Sequence, residues 1–117
     1  TIVDAGLTMR NVVSPTVIAA DLTDCWSPRI VAEGDDSYVK VAKVKGQLAW
    51  HAHPREDELF MVLTGSLQIE RDAEDVTLNQ GDVFAVPKDV SQNPVADEEC
   101  QILLIERKST THTRRGY

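Results

Sequence analysis

Trp50-His51-Ala52-His53-Pro54-Arg55-Glu56-Asp57-Glu58-Leu59-Phe60-Met61-Val62 is the stretch on which the reading of this chain turns. His51 and His53 are one residue apart, and in an extended strand such positions point to the same face. A turn through Pro54-Arg55 would bring the next strand, starting at Glu58, back toward them. Two imidazoles and one carboxylate on one face make up the 2-His-1-carboxylate triad that holds divalent first-row metals. Asp57 has the opposite parity, so within the acidic run Glu58 is the expected ligand.

The same parity sorts the neighbouring side chains. Glu58, Phe60 and Val62 are expected to face an interior, and Leu59, Met61 and Leu63 the opposite side. Leu48, Trp50 and Ala52 should face away from the histidines. Trp50, Leu59, Met61 and Leu63 would then form an apolar outer patch that needs covering, by the N-terminal arm or by a second subunit. A homodimer using this face is the expectation.

Outward from the central stretch, the pattern is that of short strands between turn residues. Tyr38 to Lys45 (YVKVAKVK) reads as a strand ended by Gly46-Gln47, and Leu48 to His53 as the next. Glu58–Leu63, Ser66–Arg71, Val76–Leu78, Val83–Val86 and Gln101–Glu106 follow. Thr64-Gly65, Asp72 to Asp75, Asn79 to Asp82 and an acidic turn over Asp97-Glu98-Glu99 separate them. Upstream, Thr16 to Ala20 reads as a brief strand, and Gly34-Asp35-Asp36 as a turn. So many short strands with no long helix predict an all-β sandwich or barrel. We divide the single domain into an N-terminal arm with edge strands (1–37), a barrel core (38–107) and a polar tail (108–117) that contains His112.

Composition narrows the partners. At 117 residues the chain is one domain, and 42% apolar with 26% charged residues is ordinary for a globular protein. A net charge of −7 argues against nucleic acid or an anionic membrane surface as partner. There is no apolar run of membrane-spanning length and no visible signal peptide, and the missing initial Met suggests a processed or trimmed start. Cys25 and Cys100 form no CxxC and are expected to be reduced thiols in a cytoplasmic protein. No nucleophile with a paired base can be recognised: Ser91 and Thr64 are candidates to approach the cavity, but nothing in the sequence activates them.

The segment Gly46-x4-His51-x-His53-x4-Glu58-x6-Gly65 resembles the first cupin motif, G-x5-HxH-x3,4-E-x6-G, with one residue missing after Gly46. Gly81-x5-Pro87-Lys88-Asp89-Val90-Ser91-Gln92 echoes the second, G-x5-PxG-x2-H-x3-N. Together they span roughly residues 38–107, and the chain looks most like small single-domain cupins labelled mannose-6-phosphate isomerase-like, a label of fold ancestry. The resemblance implies a double-stranded β-helix jelly roll, often dimeric, with one metal inside the barrel. It departs from the second motif in three places: Asp89 replaces Gly, Gln92 the last His ligand, and Ala96 the Asn.

Carried over by position, His51, His53 and Glu58 are the ligands, with Gln92 a weaker, neutral fourth. The implied cofactor is a divalent ion, Fe(II), Mn(II), Ni(II) or Zn(II), serving isomerase-like or dioxygenase-like chemistry on a small molecule. Phe60, Val62, Phe84 and Val86 would line the pocket. The alternative is a non-catalytic small-ligand-binding cupin with a weakened metal site. A purely structural interaction module leaves the HxH-x4-E spacing without a role.

Overall fold

The computed structural model describes residues 12–110. The first element corrects the sequence reading: Thr16–Ala20 lies not in a strand but in a short α-helix, α1 (Pro15–Asp21). Pro15 opens it, where a fixed φ suits the helix and the missing N–H is no loss. Seven residues do not make a stable helix alone. What holds α1 is packing: Ala19 and Leu22 cluster with Val31 and Val41, flanked by Ile18, Val39 and Leu63.

Seven strands follow: β1 (Arg29–Gly34), β2 (Ser37–Gln47), β3 (Glu58–Thr64), β4 (Ser66–Arg71), β5 (Val76–Asn79), β6 (Val83–Val86) and β7 (Gln92–Arg107). They are antiparallel, in the order β1-β2-β7-β3-β6, with β4 joining β5 to β7. β7 is the shared spine of an all-β jelly roll. Its start pairs with β4 from Gln92 to Val95, and its second half lies between β2 and β3.

That long strand overturns two further expectations. Asp97-Glu98-Glu99 is not a turn but an exposed stretch within β7. Opposite it, the β2 register jumps from Val44↔Cys100 to Gly46↔Ala96, so three acidic residues face Lys45 alone in a bulge. Leu48 to His53 forms no strand. It is a loop with one isolated bridge, His51↔Gln92, and Leu48 is a core residue rather than an outer-face one.

The interior is filled by alternating residues of the strands. Ala42, Val44, Phe60, Val62, Leu67, Ile69, Leu78, Val86, Ala96, Cys100, Ile102 and Leu104 form one buried cluster. At the β3–β4 turn Gly65 has φ +88°, and a Cβ there would meet the Glu99 carbonyl at 3.1 Å. Only glycine takes that conformation and that closeness without strain. Neither cysteine is in a disulfide, and burial pushes Cys100 up to about 11, against a weaker lowering by a backbone hydrogen bond at Ser66.

The outer patch is covered only in part. Leu63 packs on the α1 cluster, whereas Leu59 and Met61 are half-buried, and Val83 and Ile105 are exposed on the same side. Trp50 is exposed in its loop, and no ladder joins it to that face. Among the described residues no helix is long and apolar enough to cross a membrane.

Candidate metal centre

Although the first histidine strand is absent, the triad assembles. His51, His53 and Glu58 are 6%, 5% and 1% exposed, and their donor atoms lie within 4.8 Å of one another. Donors about 2.1 Å from one ion stand at most about 4.2 Å apart, so a small side-chain rotation closes the set around a metal. The two imidazole rings meet edge-on, centroids 5.3 Å apart. His53 Nε2 is 3.6 Å from Glu58 Oε1.

The hydrogen bonds orient these donors. His51 Nδ1 lies 2.9 Å from the Ala49 carbonyl. A carbonyl can only accept, so the proton sits on Nδ1 and the Nε2 lone pair is left for a ligand. His51 Nε2 is buried with no hydrogen-bond partner, and so is Glu58 Oε2. Buried polar atoms left unpaired cost stability unless something binds them. A divalent cation fits both atoms, so the residues present suit the group the triad implies.

Gln92 stands beside the triad at the first position of β7, 1% exposed. Its Nε2 donates to Glu58 Oε1 at 3.0 Å, while its Oε1 has no hydrogen-bond partner. The backbone is tied at the same place, because His51 and Gln92 exchange two N–H···O bonds of 2.9 Å.

Two residues with no apparent role in the sequence complete this lashing. The Asp57 carboxylate accepts the Lys88 N–H at 2.8 Å, which explains an acid of outward parity next to Glu58. The Asp89 N–H donates to the His53 carbonyl at 2.7 Å, with Asp89 at φ +63°. The residue that replaces the motif glycine thus keeps a glycine-like backbone, at a cost in strain that Asp tolerates better than most. A cue to both was the pairing of one acidic run with one Pro-Lys-Asp turn, but nothing in sequence gives their contact.

The other candidate residues divide. Phe60, Val62, Phe84 and Val86 all belong to or pack on the interior cluster, and Phe60 pairs with Phe84 across β3 and β6. Phe60 and Val62 are fully buried below the triad. Thr64 is six residues from Glu58 at the opposite end of β3, about 20 Å away at strand rise, and so does not approach the triad. Ser91 is half-buried next to Gln92. His112 lies outside the described residues. Glu56, in the same acidic run as Glu58, is itself buried at 7% exposure.

Comparison with known proteins gives a consistent result. Residues 37–106 match the family described as Cupin domain. Over 81 residues the chain is 41% identical to an uncharacterized protein, YdbB, of Bacillus subtilis (strain 168), covering 68% of this chain and 69% of the relative. The crystal structure of a cupin-2 domain containing protein from Shewanella frigidimarina superposes with TM-score 0.80 at 38% identity, over 83% of this chain and 95% of that one. A protein from Neisseria meningitidis shares the fold with TM-score 0.76 at 23% identity, over 84% and 100% of the two chains.

Proposed function

This chain belongs to the cupin family, and from that premise we propose that it binds one divalent metal ion through His51, His53 and Glu58 and acts on or senses a small molecule there. The observation that carries the reading is the pair of buried, unpartnered acceptor atoms, His51 Nε2 and Glu58 Oε2, on residues whose donor atoms lie within 4.8 Å of one another and of His53. Fe(II), Mn(II), Ni(II) and Zn(II) all accept such a donor set, and the bound ion would supply Lewis acidity or a site for dioxygen. The protein's own part is to hold and orient. The Ala49 carbonyl sets the His51 tautomer, Gln92 steadies Glu58, and Phe60 and Val86 keep water from the inner side.

Metal analysis of protein purified without chelator tests this. We expect close to one ion per chain in wild type and its loss in His51→Ala. A wild-type chain that takes up no divalent metal at micromolar concentration would sink the reading.

A second reading, a non-catalytic ligand-binding cupin with a weakened site, draws support from Gln92, whose amide is committed to Glu58. Replacing Gln92 by His discriminates, since a large rise in metal affinity marks the natural site as weakened. We also read the uncovered apolar face around Leu59, Met61, Val83 and Ile105 as a homodimer interface. Sedimentation showing a 13.0 kDa monomer at micromolar concentration would exclude it.

A further inference from the structure

The inward series of β4 ends on a cation. Leu67 and Ile69 are fully buried interior residues, and two positions further on stands Arg71, its side chain 18% exposed. The series thus runs from the packed interior out to where solvent reaches it. Lys40, which continues the inward series of Val44 and Ala42 on β2, is 3% exposed and ion-paired with Glu106, so its charge is already neutralised.

Strand register sets Arg71 beside the candidate metal centre. β4 and β7 pair Ile69 with Pro94 and Arg71 with Gln92. Directly paired residues carry their Cβ atoms about 5 Å apart on one face, so the Arg71 stem and Gln92 are neighbours. Gln92 in turn donates to Glu58 at 3.0 Å, which leaves Arg71 one residue removed from the triad. The guanidinium leans across to β6, where its carbon lies 5.1 Å from the centre of the Phe84 ring.

The contacts of Arg71 hold the group in place without using its charge. Its Nε donates to the Glu74 carbonyl at 3.2 Å, its backbone N–H to the Asp75 carboxylate at 3.3 Å, and the Phe84 ring supports one face. Among the described residues the one carboxylate in ion-pair range is Glu74, at 4.0 Å and with its side chain 77% exposed. Such an exposed, long pair is worth little. Neither Nη nitrogen has a hydrogen-bond partner among the described residues. Next to Arg71, Gln92 Oε1 is buried with no partner either. A guanidinium that only braced the fold would have its fork filled.

We propose that Arg71 is a specificity-determining residue at the mouth of the metal site, where its two Nη groups anchor the carboxylate of a small monocarboxylic acid. The two N–H groups of that edge match the two oxygens of a carboxylate. Asp72, Glu74 and Asp75 share the adjoining turn, and they repel a dianion such as phosphate about twice as strongly as a monoanion. The inference deepens the metal reading of the triad and rests on it for the other end of the ligand.

The test titrates zinc-loaded protein with propionate and with propionamide, its neutral counterpart, followed by calorimetry and by NMR of arginine Nε–H groups. Zinc uptake is measured first, so that its failure counts against the metal reading separately. Propionate should bind saturably and shift the Arg71 Nε–H signal, and propionamide should bind at least about tenfold more weakly, because it loses the charge-assisted contact. Arg71→Gln should keep zinc affinity within about twofold and lose propionate by about tenfold or more, whereas propionate held by the metal alone would survive that substitution. Inorganic phosphate should bind more weakly than propionate. The proposal is overturned if propionate leaves the Arg71 signal in place, if propionamide or phosphate binds as tightly, or if Arg71→Gln retains propionate affinity. Should that variant not fold, the wild-type Arg71 signal decides. If wild type takes up no zinc, the metal reading fails, and the same signal in the metal-free chain decides the anchor.

Discussion

One end of the barrel interior is lined by Val44, Val62, Leu67, Cys100 and Ile102, all 0% exposed and all apolar or nearly so. The other end presents Glu58 from β3 and Gln92 from β7, with His51 and His53 brought in by the loop before β3, none more than 6% exposed. The strand geometry does not change between them. Glu58, Phe60 and Val62 are successive inward positions of one strand, and the chemistry changes while the parity holds. The lesson is that burial alone does not mark a core. An interior stretch that continues the packing pattern with polar residues, some left without partners, marks where something else is meant to bind.

This contrast can be broken by mutation, and the largest effect belongs to the apolar end. Ile102→Ala should cost about 2–5 kcal/mol, read by denaturant unfolding, because it opens a cavity among fully buried neighbours. A loss below about 1 kcal/mol would mean that end is not the packed core. At the polar end the effect should fall on metal binding instead. Gln92→Ala should lower affinity about 10–100-fold by freeing Glu58, as loss of a group that orients a ligand does. Unchanged affinity would remove Gln92 from the site.

A third test uses the one thiol buried at the apolar end. Burial raises Cys100 from its ordinary 9.0 to about 11, so the fold favours the neutral thiol while the unfolded chain ionises earlier. Stability from this group is therefore full below about pH 9 and declines as pH rises toward about 11. Unfolding midpoints across that range should fall in wild type and less in Cys100→Ala measured from its own baseline. The smallest effect is at the lashing of the polar end: Asp89→Gly should stabilise by about 0.5 kcal/mol through relief of the positive φ. Destabilisation would show that the Asp89 side chain does more than the backbone needs.

Much of this was readable from residues. The parity of Glu58 to Leu63 follows from period-2 alternation. His51 and His53 join Glu58 from a loop rather than from the expected strand, so their short spacing gave the cluster and strand parity did not. The cupin fold came through the HxH and Gly-Pro spacings rather than through any strand taken singly. What failed was non-local. α1 is too short to show a helical period, and its one cue was Pro15 after Ser14. The acidic triple in β7 looks like a turn because its exposure comes from a bulge opposite Lys45. Lys40 looks like the solvent side of an alternating strand. Of its apolar neighbours, Val41 is buried and Val39 partly buried in the cluster formed with a helix on the outside, which inverts the usual sense of the pattern. The bonds from Asp57 and Asp89 join loops about 30 residues apart, and no local pattern encodes such contacts.

The most direct test of a polar end built for a metal and an apolar end built for packing is a zinc titration followed by NMR of histidine ring nitrogens and methyl groups together. One equivalent should move the Nε2 signals of His51 and His53 strongly, while the methyls of Ile102 and Leu67 barely respond. Ring nitrogens that stay in place at one equivalent of zinc, or shifts that centre on the apolar end, would contradict the account.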